Sequence, residues 1–246
     1  MNWIEPDWPA ASHVRALSTT RSGGVSVGPF ASLNLADHVG DELFRVERNR
    51  ALLRERHCFP SEPRWLRQVH GCAVADVASY TGDCPADAAI ALRPGKVCAV
   101  LTADCLPLLL CDGEGTRVAA VHAGWRGLAA GVIEAAVGVL AVPPREILCW
   151  LGPAIGSQAF EVGSDVRERF LADGHSSAAA FHPVPDGKWL ADLYTLARGR
   201  LQRCGVEQAW GGGLCTYSDS ERFFSYRRDG VTGRMASLIW IDRDTR

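Results

Sequence analysis

Three residues carry the clearest capacity for chemistry: His70, Cys105 and His122. Each stands where an apolar run gives way to a turn. His70 ends RWLRQVHG (64–71), Cys105 follows KVCAVLTA (96–103), and His122 ends the run in RVAAVHAG (117–124). Where strands and helices mix, ligands collect at strand ends, because the loops there carry side chains into a cleft. Two imidazoles and a thiolate in one place form a set that suits zinc. Three protein ligands leave a fourth position open for water or substrate, as in catalytic rather than structural sites. The three residues are far apart in sequence, so no local metal motif dictates this outcome. The same atoms allow a second chemistry, with Cys105 as a thiolate nucleophile and His70 or His122 as its base. That arrangement needs a third group to orient the histidine. Asp104 is adjacent to Cys105, but in an extended chain its side chain points away. A third reading makes Cys105 one more buried cysteine among nine.

Copper oxidation over several metals requires many histidines. The chain has seven, at positions 13, 38, 57, 70, 122, 175 and 182, and no H-x-H pair. A four-copper site is therefore not expected, and Cu2+ at the three-ligand set ranks behind Zn2+.

Guanidinium groups suit bidentate phosphate binding. Arg126 in HAGWRG lies at the expected start of a helix, between glycines, where backbone N–H groups and the helix dipole favour an anion. Arg21 in TTRSGG has a similar flexible setting. These two are the expected phosphate-binding pair, whereas Arg227, Arg228 and Arg234 in SYRRDGVTGR read mainly as solvated surface charge. Asn34 and Gln68 offer neutral hydrogen bonds to a sugar or base; otherwise they are a turn residue and a strand-face residue.

The surrounding elements alternate between short strands and amphipathic helices. Strands are expected over 14–20, 64–71, 96–103, 106–112, 117–124 and 146–152, with CAVADV (72–77) as hairpin partner of 64–71. Segment 96–103 and segment 106–112 would flank a turn holding Asp104, Cys105 and Pro107. Helices are expected over 41–56, where Leu43, Val46, Ala51, Leu52 and Leu53 recur among charges, and over 127–140, 162–174 and 189–206. The segment RSGGVSVGPFASLNL (21–35) is a long loop without periodicity, a type that often carries function. Residues 215–234 are polar and arginine-rich. Hairpin-like neighbours interleaved with helices predict an α+β fold with mixed sheets flanked by helices, in one domain over 1–246.

Bulk composition is that of an ordinary globular protein, with 47% hydrophobic and 22% charged residues. A net charge of −2 argues against a nucleic-acid or polybasic membrane partner. No apolar run approaches the ~20 residues of a membrane span, and the N-terminal residues lack a secretory pattern. The odd, scattered cysteines predict a reducing, cytoplasmic setting. The expected partners are small molecules, and the expected state is a monomer or small homo-oligomer.

The motifs STTRSGGVS, SLNLADHVGD, RQVHG, TADCLPLLL, VHAGWRGL, LGPAIGSQAFEVG and FFSYRRDGVTGR occur here in the order found in the YfiH-like family. That family is also called the laccase-domain or polyphenol oxidase family, and more recently a purine nucleoside phosphorylase family. The chain resembles it from about residue 18 to residue 234. The resemblance implies a four-layer α/β/β/α fold, shared with certain cysteine-dependent deamidase toxins. It implies a metal site on His70, Cys105 and His122, phosphorolysis of adenosine, inosine and methylthioadenosine, and adenosine deamination in the same pocket. Polyphenol oxidation and peptidoglycan quality control are other roles attached to the family. His38, on the loop after SLNLAD, is the candidate general acid or base.

Overall fold

The apolar runs form strands in two facing sheets rather than one. The computed structural model describes residues 2–82, 84–172 and 177–242; His175 and the end of the helix expected over 162–174 lie outside them. Elements are numbered in chain order. The first sheet is antiparallel, in the order β1 (Trp3–Ile4), β2 (Val14–Thr19), β13 (Met235–Ile241), β5 (Val97–Thr102). The second is mixed, in the order β12 (Gln208–Gly211), β8 (Ile147–Leu151), β6 (Leu106–Asp112), β7 (Val118–Ala123), β4 (Ala88–Ala91), β3 (Val74–Asp76). A small outer sheet joins β10 (Phe181–Val184), β11 (Lys188–Ala191) and β9 (Glu161–Val162). The helices are α1 (Leu43–His57), α2 (Trp125–Ala130), α3 (Val132–Leu140), α4 (Ser164–Leu171), α5 (Leu193–Arg203) and α6 (Tyr226–Asp229).

Strands β5, β6 and β7 are buried along their whole length. Both faces of each are covered, which is why their sequences read as continuous apolar runs without alternation. From β6, Leu109 and Cys111 face the first sheet and meet Val100 and Ile239. Leu106, Leu108 and Leu110 face the other way, toward Ile133 of α3 and Leu196 and Leu201 of α5. The outer face of the first sheet, with Leu17, Leu101 and Leu238, is covered by Leu53 of α1 and by Leu33 and Leu35 of the long loop. The layers run helix, sheet, sheet, helix, as expected.

Several local expectations give way to the chain's own polar groups. Strands β5 and β6 are not a hairpin: they lie in different sheets, and residues 103–105 cross between them, with Asp104 at φ 92°. Residues 64–71 are not a strand and make only isolated bridges, Arg64 to Cys98 and Arg67 to Pro85. There the Gln68 side chain substitutes for a ladder, accepting from Leu101 N at 2.7 Å and donating to Leu101 O at 2.8 Å. Strand β3 therefore pairs parallel with β4 instead of folding back on 64–71. The helix expected over 127–140 is divided by Gly131, whose φ of 94° ends α2 and begins α3. Within 189–206 the first residues form β11, and Asp192 caps α5 by accepting from Tyr194 N and Thr195 N.

Leu109 is fully buried between the two sheets. Leu109→Ala is expected to cost about 2–5 kcal/mol. Urea denaturation checks this: the midpoint should fall with little change in slope.

Candidate metal centre and active site

The site begins with a carboxylate. Asp87 heads β4 and is completely buried. Its Oδ1 accepts from His70 N at 2.9 Å, and its Oδ2 accepts from Gly71 N at 2.7 Å and Val69 N at 3.2 Å. Three successive N–H groups can converge on one anion only if the backbone curls, and His70 takes φ 61° to allow it. The same carboxylate lies 2.8 Å from His122 Nδ1, and the Asp87 carbonyl accepts from His122 N at 2.7 Å. One group thus fixes the backbone of the first histidine and the ring of the second. Burial opposes ionisation of Asp87, yet His122 and the Gly71 and Val69 amides hold its carboxyl below the usual carboxylate range.

Cys105 completes the cluster from the crossing between sheets. The donor atoms of His70, Cys105 and His122 lie within 4.8 Å of one another, with Cys105 Sγ 3.8 Å from His70 Nε2. The two imidazole rings meet edge to face, centroids 4.8 Å apart. With Nδ1 of His122 engaged by Asp87, its Nε2 remains for the cluster, the arrangement of a carboxylate-supported metal histidine. The donor set is two imidazole nitrogens and a sulfur, and it fits a single metal ion.

Protonation separates Cys105 from the packing cysteines. Burial alone would push its thiol up, but His122 and His70 outweigh that and bring it down to about 6. Burial likewise disfavours a charged His122, and the Cys105 thiolate with Asp87 reverses this, raising it to about 9. Both shifts favour the thiolate–imidazolium form of the pair in the absence of metal. Cys111, by contrast, is pushed up to about 12 by burial, and Cys98 and Cys149 are also pushed up. Those three are inert core residues, as their apolar runs suggested.

Gly124 closes the site from behind. A Cβ there would come 2.8 Å from Cys105 Sγ and 3.0 Å from His70 Cδ2. In front lies a cavity of about 570 Å³ that the cluster shares with Arg126, Arg227 and Arg234. Its size suits a small molecule. Each of these arginines lies over an aromatic ring of the same wall: Arg126 over Trp125 at 4.5 Å, Arg227 over Phe160 at 5.3 Å and Arg234 over Tyr226 at 5.8 Å. A larger cleft, of about 720 Å³ between Trp3, Trp8, His57 and Trp240, contains none of the cluster.

The structure divides the residues picked from sequence. His38, Gln68 and Arg126 line the cavity with the three metal-ligand candidates. Gln68 does so with its amide already committed to Leu101. Arg21 and Asn34 lie outside the cavity lining. Arg21 donates to Ala31 O and Ser220 O, both at 3.0 Å, and covers the Phe224 ring. Asn34 is buried, donates to Ala36 O and Asp41 Oδ2, and accepts from Ala36 N and Arg234 N. Both hold the long loop against the C-terminal segment. Arg227 and Arg234, read from sequence as surface charge, reach the cavity. Arg228 instead ties Thr216 O, Tyr217 O and Phe223 O together.

Two acidic residues were not picked out as site residues. Asp87 had one signal, a carboxylate at the head of the apolar run AAIAL. Asp104, adjacent to Cys105, turns inward: Oδ1 accepts from Thr216 Oγ1 at 2.6 Å and Oδ2 from Arg227 N at 2.7 Å.

Two measurements follow from this geometry. Asp87→Asn should weaken metal binding about 10–100-fold, read by competition with a chelator, with the circular dichroism of the fold retained. In metal-free protein, the ultraviolet thiolate signal that Cys105→Ser removes should appear as pH rises through about 6, since the histidines favour the charged sulfur. The partner charge on His122 should be lost only as pH rises through about 9. A thiolate midpoint at the ordinary cysteine value would contradict the ion pair.

Comparison with known proteins adds a family. Residues 15–242 match the family model described as multi-copper polyphenol oxidoreductase laccase. A Pseudomonas aeruginosa protein named purine nucleoside phosphorylase is 56% identical over 241 residues, covering 97% of this chain and 98% of the relative. The Escherichia coli K12 purine nucleoside phosphorylase YfiH is 55% identical over 243 residues, covering 97% and 98%. Among solved structures, a Neisseria meningitidis protein superposes with a TM-score of 0.95 at 50% identity, covering 99% of this chain and 100% of that one. YlmD from Geobacillus stearothermophilus gives 0.92 at 30% identity, covering 99% and 97%. With the match running through both sheets and the His70–Cys105–His122 cluster, the chain belongs to the multi-copper polyphenol oxidoreductase laccase family.

Proposed function

We propose that the chain is a zinc-dependent purine nucleoside phosphorylase acting on adenosine, inosine and methylthioadenosine, and that it also deaminates adenosine in the same pocket. One observation carries this reading: a three-ligand metal set and three arginines face a single cavity of about 570 Å³. The names of the relatives support it. Among the described residues His70, Cys105 and His122 form the one cluster of three or more potential ligands, which favours a single ion over several coppers. All nine cysteines are free thiols, which supports a cytoplasmic setting.

Phosphorolysis requires an anion held against the anomeric carbon while the purine departs through an oxocarbenium-like transition state. Arg126 makes no hydrogen bond to another described residue, so its guanidinium is free for phosphate. Arg227 uses one nitrogen on Glu161 O, and Arg234 uses one on Thr232 O and Gly233 O. Each keeps donors for the ligand, and the aromatic rings beneath them fix the guanidinium planes. When bound, zinc supplies a Lewis acid that stabilises developing charge and activates water. Asp87 keeps the Nδ1 proton on His122 and so presents Nε2 to the cluster.

The order Cys105, His122, Asp87 is also that of a nucleophile–base–acid triad. It carries a second reading, a metal-free cysteine hydrolase. Metal analysis beside a chromatographic assay with adenosine separates the two. The expected result is about one zinc per chain, adenine formed only with phosphate, inosine formed without it, and loss of metal and both products in Cys105→Ser. Turnover without any metal, abolished by Cys105→Ser, would support the hydrolase instead.

A further inference from the structure

We propose that His38 is the general acid that protonates the departing purine, with Asp37 and Arg50 as its positioning residues; the inference rests on the phosphorolysis reading above. A purine leaves poorly as an anion, so a proton delivered to its N7 as the glycosidic bond breaks lowers the barrier. The cavity offers few groups able to give one. The three ligand candidates would be taken up by the metal they hold. Asp104 accepts from Thr216 and Arg227 with its two oxygens. Gln68 is locked on the Leu101 backbone. The arginines hold their protons too tightly to act as acids. Tyr226 offers a phenol, a much weaker acid than imidazolium near neutral pH. Imidazole is the side chain that exchanges protons most readily there.

His38 lines the cavity from the segment that follows the long loop. Its Nδ1 lies 3.3 Å from Asp37 Oδ1, which leaves Nε2 without a partner among the described residues. Asp37 is itself held, with Oδ2 3.3 Å from an Arg50 nitrogen. Arg50 donates Nε to Leu35 O at 3.0 Å and lies over the Trp65 ring at 4.6 Å, so the chain of contacts ends on α1 and its neighbours. The loop is fixed in turn by Asn49, which accepts from Val25 N and donates to Ser26 Oγ, Ser32 O and Asn34 O. Asn34 then connects it to Arg234. The His38 side chain is itself 60% exposed, so its direction is set by these contacts rather than by burial.

The step balances. An oxygen of hydrogenphosphate forms a bond to the anomeric carbon as the bond from that carbon to purine N9 breaks. The electron pair passes into the base, and N7 takes the proton from His38 Nε2. The remaining acidic hydrogen of the ribosyl phosphate returns to His38, so nucleoside and hydrogenphosphate give free purine and ribosyl phosphate.

The test compares inosine with 7-methylinosine, whose base already carries positive charge at its alkylated N7 and leaves without a proton. His38→Gln should lower kcat for inosine about 10²–10⁴-fold, with KM and metal content little changed. Its rate on 7-methylinosine should stay within a few-fold of wild type. Asp37→Asn should show the same selectivity with a smaller loss. Retention of inosine turnover in His38→Gln, or equal loss on both substrates, would overturn the role of His38 and leave the phosphorylase reading standing. A wild-type chain that turns over neither nucleoside would overturn that reading, and this inference with it.

Discussion

A buried carboxylate without partners costs several kcal/mol, so the surrounding chain must be built to satisfy it. Asp87 imposes that requirement on this fold. Its oxygens draw in the amides of residues 69–71 and the ring of His122, and its carbonyl accepts from His122 N. The second interaction sits beside the β4–β7 pairing, so a sheet contact and the orientation of two candidate ligands are one structure. The left-handed backbone at His70 is the local cost, and the convergent amides offset it.

The second organising feature is the crossing at residues 103–105. By leaving one sheet and entering the other, the chain sets Cys105 at the junction of the two, facing β7 and the curled segment. Asp104 steadies the crossing by reaching into the C-terminal segment, accepting from Thr216 and from the Arg227 amide. The cavity wall that carries Arg227 and Arg234 is therefore attached to the same three residues that deliver the thiol. Each of the three guanidinium groups on that wall lies over a ring, and none of them pairs with a carboxylate among the described residues.

Much of this was legible in the sequence because burial on both faces leaves a plain mark. KVCAVLTA, LPLLLCD and RVAAVHAG read as buried strands and are buried strands. What such runs do not encode is which sheet each joins, and β5 and β6 read as a hairpin for that reason. Segment 64–71 read as a strand because Gln68 looks like any strand-face polar residue until its amide is seen standing in for the ladder. Arg21 and Asn34 illustrate the same ambiguity, since a loop side chain that binds its own backbone has the composition of one that binds a ligand. Asp87 was hidden for a different reason: its partners at 69–71 and 122 are distant in sequence, and only the sheet brings them within reach. The three-residue cluster itself was visible because standing where an apolar run ends is a local property of the sequence, while its support was not.

Gly124 gives the site an unusual kind of vulnerability. The space a Cβ would take there already belongs to the Cys105 sulfur and the His70 ring. A methyl group at that position would behave as a tethered competitor, present at unit occupancy and immune to dilution. The cluster could thus be silenced by bulk alone, with every donor atom, every charge and the Asp87 network chemically intact.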